Sequence, residues 1–331
     1  MDVTFLISMN PGSSSTGGGI QDNGGAAGGR SENRQAFLTF GDASWGSIKL
    51  GKDLGIYASD AILNDMTLLG VGSGAGSLAG NTTTLGRIGT GFMYADWKSQ
   101  VAYSSPNFNG LQFTAGVTQA WNASNNLSNL LSGGTAITSE NTALRGGNQP
   151  AFEGKASYDF AADAVKAKLW VSGLSQQMKA IADDGTDRTA TAWDIGANVN
   201  AAGFGLTGYY GEGKGIGQTI QFADGFDADG NKRKSEQYYV QATYTLPGVG
   251  TKLGASYGES KLNANAVDTT WNSLKDQMWV AGVYHPITKH LNLVAEYSET
   301  ERKVSDGSST GASTAESAKG KTVSLGAILF F

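Results

Sequence analysis

The chain contains no cysteine, five prolines and two histidines in 331 residues. Without cysteine there is no disulfide scaffold, no thiolate zinc site and no thiol nucleophile. Scarce proline without a G-X-Y period excludes collagen. Charged residues make up 16% of the chain, well below the usual quarter. The balance is 24 basic against 29 acidic residues, a formal net charge of −5, which argues against a nucleic-acid partner. No run reaches the roughly 18 apolar residues that a spanning helix needs. A soluble protein is one reading of that absence. The other is a transmembrane β-barrel, whose membrane signal hides in an alternation with a polar lumen face.

Glycine is plentiful, at 48 residues about twice its usual frequency. Hydrophobic residues at 40% and aromatics at 10% exclude a disordered chain. Period-two alternation recurs along the sequence. Val165, Ala167, Leu169 and Val171 interleave with Lys166, Lys168, Trp170 and Ser172. Phe152, Gly154, Ala156, Tyr158 and Phe160 interleave with Glu153, Lys155, Ser157 and Asp159. Such spacing puts one face in an apolar and one in a polar medium on a strand, and scatters the same residues around a helix.

Fourteen strands are expected, at 2–9, 33–41, 44–52, 97–105, 111–120, 151–160, 163–176, 189–200, 203–212, 235–246, 251–260, 276–285, 290–301 and 321–331. Every second connection is short and carries turn residues, as at Pro106-Asn107, Ala202-Gly203 and Pro247-Gly248. The others are long. Tight turns at one end and long loops at the other are the pattern of an all-β, antiparallel up-and-down barrel in an outer membrane. The whole chain, 1–331, reads as one such domain. A soluble β-sandwich binding protein and a barrel serving as enzyme or adhesin are the alternatives.

Motifs for covalent chemistry are weak. His285 and His290 flank one short turn, with no serine and carboxylate arranged around them in sequence. The stretch from Gly208 to Gly215 nearly spells a phosphate loop but lacks its Ser/Thr and a following helix. Asp227, Asp229 and Asn231 partly match a calcium loop, with Lys232 and Tyr238 where glycine and glutamate belong, so at most weak calcium binding is expected. The cluster Lys232-Arg233-Lys234 is a solvated patch or a lipopolysaccharide contact. No cofactor is expected.

The connection at about 53–96 is the longest, and long loops are usually functional or disordered. Folded into the barrel, it would set Asp53, Asp60 and Asp65 against lumen bases. The candidates are Arg34, Lys49 and Lys52 on neighbouring strands, Arg87 in the loop, and Lys166 and Lys168 farther round; Glu296 is a further candidate for the lining. Opposed acidic and basic walls discriminate solutes by charge.

Several segments, in order, resemble Gram-negative general diffusion porins. Asn33-Arg-Gln-Ala-Phe-Leu followed by Gly46-Ser-Ile-Lys-Leu-Gly-Lys52 is similar to the hairpin before the constriction loop. Val101 to Gly110 is similar to the strand after it, and Val280 to Tyr284 with Leu291 to Tyr297 to the penultimate hairpin. The terminal Phe331 matches the aromatic such barrels present to the assembly machinery. The resemblance implies a homotrimer of 16-stranded barrels in a Gram-negative outer membrane, contacting lipid and lipopolysaccharide and passing ions and small hydrophilic solutes. It implies that 2–9 corresponds to the third strand, with the first two family strands missing. It places Lys52 where the family has a pore-lining arginine, and Asp60 and Asp65 in the constriction loop. Ala102 and Ser104 stand where charged residues are common, so the basic wall is expected to be thin.

Overall fold

A computed structural model describes the chain except for residues 9, 12–30, 71–85, 124–143, 181–185, 228, 270 and 307–315. Fourteen long strands run antiparallel, each paired with its neighbours in sequence. They are β1 (Asp2–Ile7), β2 (Ala36–Asp42), β3 (Gly46–Leu54), β4 (Trp97–Ser104), β5 (Leu111–Thr118), β6 (Ala151–Ala162) and β7 (Val165–Ala180). The series continues with β8 (Arg188–Ala201), β9 (Phe204–Lys214), β10 (Lys234–Thr245), β11 (Lys252–Asn263), β12 (Trp271–Pro286), β13 (Leu291–Asp306) and β14 (Glu316–Leu329). Among the described residues β1 and β14 are edge strands with no ladder between them. A single meander of this length is not a two-sheet sandwich.

The alternation read from sequence decides which face goes where. On β7, Leu169 and Val171 are exposed on the outer face while Trp170 and Ser172 are buried on the inner one. Hydrogen-bond register carries the outer row from Leu169 through Ala197 and Gly208 to Val240 and Tyr257. Toward the long-loop end the outer face bears aromatic pairs: Trp193 with Tyr210, Tyr238 with Tyr257 and Trp279 with Tyr297. Toward the short-turn end Phe204 and Tyr244 pack 4.4 Å apart. An apolar band between two aromatic girdles is the surface a bilayer requires.

Alternating connection lengths hold. The turn at 202–203 has positive φ at both Ala202 (49°) and Gly203 (84°), the twist a two-residue hairpin favours. On the other side, β7, β12 and β13 run longer than expected, reaching Ala180, starting at Trp271 and reaching Asp306. Toward that end the outer faces of β12 and β13 carry Lys275, Glu301 and Lys303. The apolar period ends where the strand leaves lipid, but the backbone ladder continues.

Candidate constriction site

The connection between β3 and β4 lies inside the curve of the sheet. Its described parts touch inward side chains from β6 to β13, so the sheet wraps around it. The first limb holds a one-turn helix, α1 (Ser59–Leu63), entered through Ala58 in the left-handed region, and a 3₁₀ turn (Met66–Leu69). Asp65 caps that turn, accepting from the Thr67 N–H (3.0 Å) and hydroxyl (2.7 Å). The return limb, 86–96, buries Ile88, Phe92 and Tyr94 against Trp170, Tyr209 and Tyr239 of the wall. Phe92 meets both tyrosines edge-on, and Tyr209 stacks on Tyr239 at 5.5 Å. The wall makes room: a Cβ at Gly258 would lie 2.5 Å from the Thr90 carbonyl oxygen.

Polar bonds fix the loop to the wall along its length, Ala58 and Gly91 N–H groups donating to Ser172 and Ser260 (3.1 and 3.0 Å) among them. At its root Glu153 of β6 accepts from the Ile56 and Tyr57 N–H groups (2.8 and 2.9 Å). The same carboxylate accepts from Lys98 Nζ (2.6 Å) and the Thr118 hydroxyl (2.9 Å). Glu153 and Lys98 are both wholly buried, and Lys98 lies over the Trp121 ring. At mid-span the Tyr239 hydroxyl donates to the Ala61 carbonyl (2.9 Å). Near the tip Gln241 accepts from the Met66 N–H (2.6 Å) and donates to the Asn64 carbonyl (3.0 Å). Arg87 holds the return limb, bonded to Ser256 Oγ and the Met278 carbonyl (2.8 Å). Burial pulls the Arg87 guanidinium down to about 10 against the attraction of Asp65, which leaves it charged at neutral pH. Burial raises the Tyr57 phenol well above its ordinary value, so it stays neutral.

Six of the expected charges fall into three groups. Asp60 is paired with Lys168 (3.7 Å), and also with Lys155 (3.0 Å). Asp53 is paired with Lys49 and accepts from Gln35 (2.9 Å). Asp65 lies beside Arg87, whose backbone N–H donates to it (3.1 Å). Glu296 stands on β13 near the loop tip, accepting from the Tyr284 hydroxyl (2.6 Å); a Cβ on Gly70 would run into its carboxylate. Lys52 and Lys166 are not drawn into these clusters. Arg34 precedes β2 and is half-buried. Lys52 falls on the outward side of β3 with Leu50, and its Nζ donates to the Asn33 carbonyl (3.0 Å). Lys166 is exposed near the short-turn end of β7. Thus Asp60 meets bases on the wall it lies against, rather than across an open gap.

Lys98, Glu153, Lys155 and Gln241 hold the loop at its ends and middle, and the sequence candidates omit them. Glu153 and Lys155 do occupy polar positions of the 151–160 alternation, which is their only signal. Asp227 accepts from the Asn231 N–H (2.7 Å) and amide (2.9 Å) and from Asn265 (2.8 Å), while Asp229 is exposed. Among the described residues no three His, Asp or Glu side chains gather as a metal site. Phe331 ends the chain fully exposed.

The Gram-negative porin family model matches residues 4–305. The chain belongs to the Gram-negative porin family. Solved structures agree in fold. The outer membrane channel DcaP of Acinetobacter baumannii matches with a TM-score of 0.66 at 16% identity, covering 99% of this chain and 80% of that one. An anion-selective porin from Comamonas acidovorans matches at 0.55 and 18% identity, covering 93% and 81%. In-vitro folded OmpT of Vibrio cholerae matches at 0.52 and 14%, covering 91% and 81%. No curated protein matches. This porin is therefore an outer-membrane channel for the diffusion of small solutes, with its constriction loop folded inward.

Proposed function

We propose that this porin passes ions and small hydrophilic solutes passively and carries out no covalent chemistry, with the inward loop as its filter. The observation that supports this is the loop's attachment to the inner wall at Glu153, Tyr239, Gln241 and Arg87. A floppy external loop could not set a size limit; a loop bonded along the lumen can. Among the described residues the loop's anchors lie on β6 to β12, which favours a passage on the side of β14, β1 and β2. Weak charge selectivity is expected, because the inward lysines Lys49, Lys98, Lys155 and Lys168 are ion-paired, which leaves Lys166 and Lys252 as inward lysines outside the ion pairs among the described residues. The Comamonas acidovorans relative is described as anion-selective; here the pairing of these bases favours a smaller bias. Neither histidine favours an enzyme: His285 Nδ1 meets the Thr251 hydroxyl (2.8 Å) and His290 Nδ1 the Phe330 carbonyl (3.0 Å), both at the short-turn end.

In lipid a bare sheet edge is not tolerated. We therefore expect the edges of β1 and β14 to be satisfied by the further strand pair that the family resemblance implies, and the barrels to assemble as homotrimers in contact with lipid and lipopolysaccharide. We assign Phe331 the role of assembly signal. The test of the channel is a planar-bilayer recording with liposome swelling in sugars of increasing size. Discrete conductance steps and a sharp sugar cut-off are expected. Purified, detergent-folded protein giving no steps would refute the reading.

A further inference from the structure

The connection between β9 and β10, residues 215–233, is not the solvated external loop its charged sequence suggests. It buries Ile216, Phe222 and Phe226, each at 1% exposure or less. Its backbone is constrained: Phe222 and Asp224 hold positive φ of 67° and 62°. Non-glycine residues persist there only where the surroundings over-determine them. The surroundings in this case are the constriction loop. The Tyr94 N–H donates to the Thr219 carbonyl (3.0 Å), and Gln221 donates to the carbonyls of Tyr94 (3.1 Å) and Ala95 (3.2 Å). Lys98, already held by Glu153, donates to Gln221 Oε1 (2.5 Å) and faces the Phe222 ring. Phe222 shares one apolar cluster with Tyr57, Ala58, Met93 and Ala95 of the constriction loop. The barrel wall is engaged too, since Gln218 donates to the Ser260 carbonyl of β11 (2.7 Å).

We propose that segment 215–233 is a second constriction element, a strap that pins the return limb of the constriction loop and shares with it the size limit of the pore. The proposal rests on the channel reading above. Gln221 and Lys98 are its positioning residues, joining strap, loop and wall at one point. The near phosphate-loop glycine Gly215 serves this turn: it holds φ +78°, and the Phe226 ring lies 2.6 Å from where its Cβ would be.

The excursion 217–224 leaves and returns at one place. Gly217 pairs with Ala223, and a Cβ on Gly225 would lie 2.8 Å from the Gly217 nitrogen. Replacing residues 218–223 by two glycines therefore shortens the strap without moving its ends. In single-channel recordings this variant should conduct about 1.5-fold or more above the parent and admit larger sugars in liposome swelling. Unchanged conductance and cut-off in a variant that keeps a heat-modifiable folded band would overturn the proposal. Should that variant not fold, Thr219→Cys supplies a second measurement in a chain with no other cysteine. Thr219 is half-buried at the strap's tip. A bulky methanethiosulfonate reagent should lower its conductance, and complete labelling without a change would overturn the proposal. A parent without conductance steps would fail the channel reading instead, so the two failures are distinguishable.

Discussion

Glu153 anchors the root of the constriction loop, and its removal should lift that loop. The carboxylate accepts four hydrogen bonds within 2.9 Å, from two loop N–H groups, Lys98 and Thr118. Glu153→Ala leaves the Lys98 ammonium buried with Gln221 as its remaining acceptor, and leaves the Ile56 and Tyr57 N–H groups without partners. Deleting one member of a buried ion pair costs about 3–5 kcal/mol. Part of that cost is avoided if the loop lifts and lumen water reaches Lys98. A net shift of about 4 kcal/mol moves the balance between seated and lifted loop by about a thousandfold. The strands keep their ladders, so the barrel itself should remain heat-resistant. Single-channel recording should show higher conductance and increased open-channel noise. The double variant Lys98→Met/Glu153→Gln tests the cause. Methionine fills the lysine stem without charge, and the glutamine amide oxygen still accepts from the two N–H groups. This pair should return conductance and noise close to the parent, because replacing a whole buried pair is often near neutral. Parental conductance in Glu153→Ala, or a double variant as noisy as the single one, would refute the reasoning.

Other perturbations separate residues that sequence groups together. Asp60→Asn should move the salt-gradient reversal potential toward anions, since it frees the half-exposed Lys155 and leaves Lys168 with Asp159 as its one acidic partner. Asp65→Asn should leave the reversal potential nearly unchanged, its oxygens being spent on Thr67 and the Arg87 N–H, and should instead weaken the 3₁₀ cap by about 1 kcal/mol. The contrast is read from reversal potentials and from protease sensitivity of the loop. Gly258→Ala should displace the return limb at a cost of about 1–3 kcal/mol, because Thr90 O and Tyr239 Cβ would lie 2.5 and 2.9 Å from the new Cβ; a rise in conductance checks it. Phe331→Ala should lower the yield of heat-modifiable barrel in membranes without altering the conductance of molecules that do fold.

The fold was legible because lipid and water impose a period on sequence. Leu169 and Val171 against Trp170 and Ser172 read as a strand from alternation alone, and the alternating loop lengths put all turns of one kind at one end. That signal stops at the membrane boundary, which is why β12 and β13 extend past their expected ends to Lys275 and Lys303, where the outer face turns polar while Leu274 and Val304 stay buried on the inner one. The constriction was legible only in part. Its length and its acids mark the loop, but partner choice depends on contacts far apart in sequence: Glu153 is about a hundred residues from Ile56, and Gln221 more than a hundred from Lys98. The same charges that suggest two walls facing across water are, once the sheet curls, neighbours on one wall. Lumen charge read from sequence therefore overstates the field, because an acid on an inward loop is driven to the nearest base by the cost of burying it unpaired. The permeating solute then meets mainly the residues that this pairing leaves over, and in this porin the loop and its strap consume most of the charge on the side of β6 to β10.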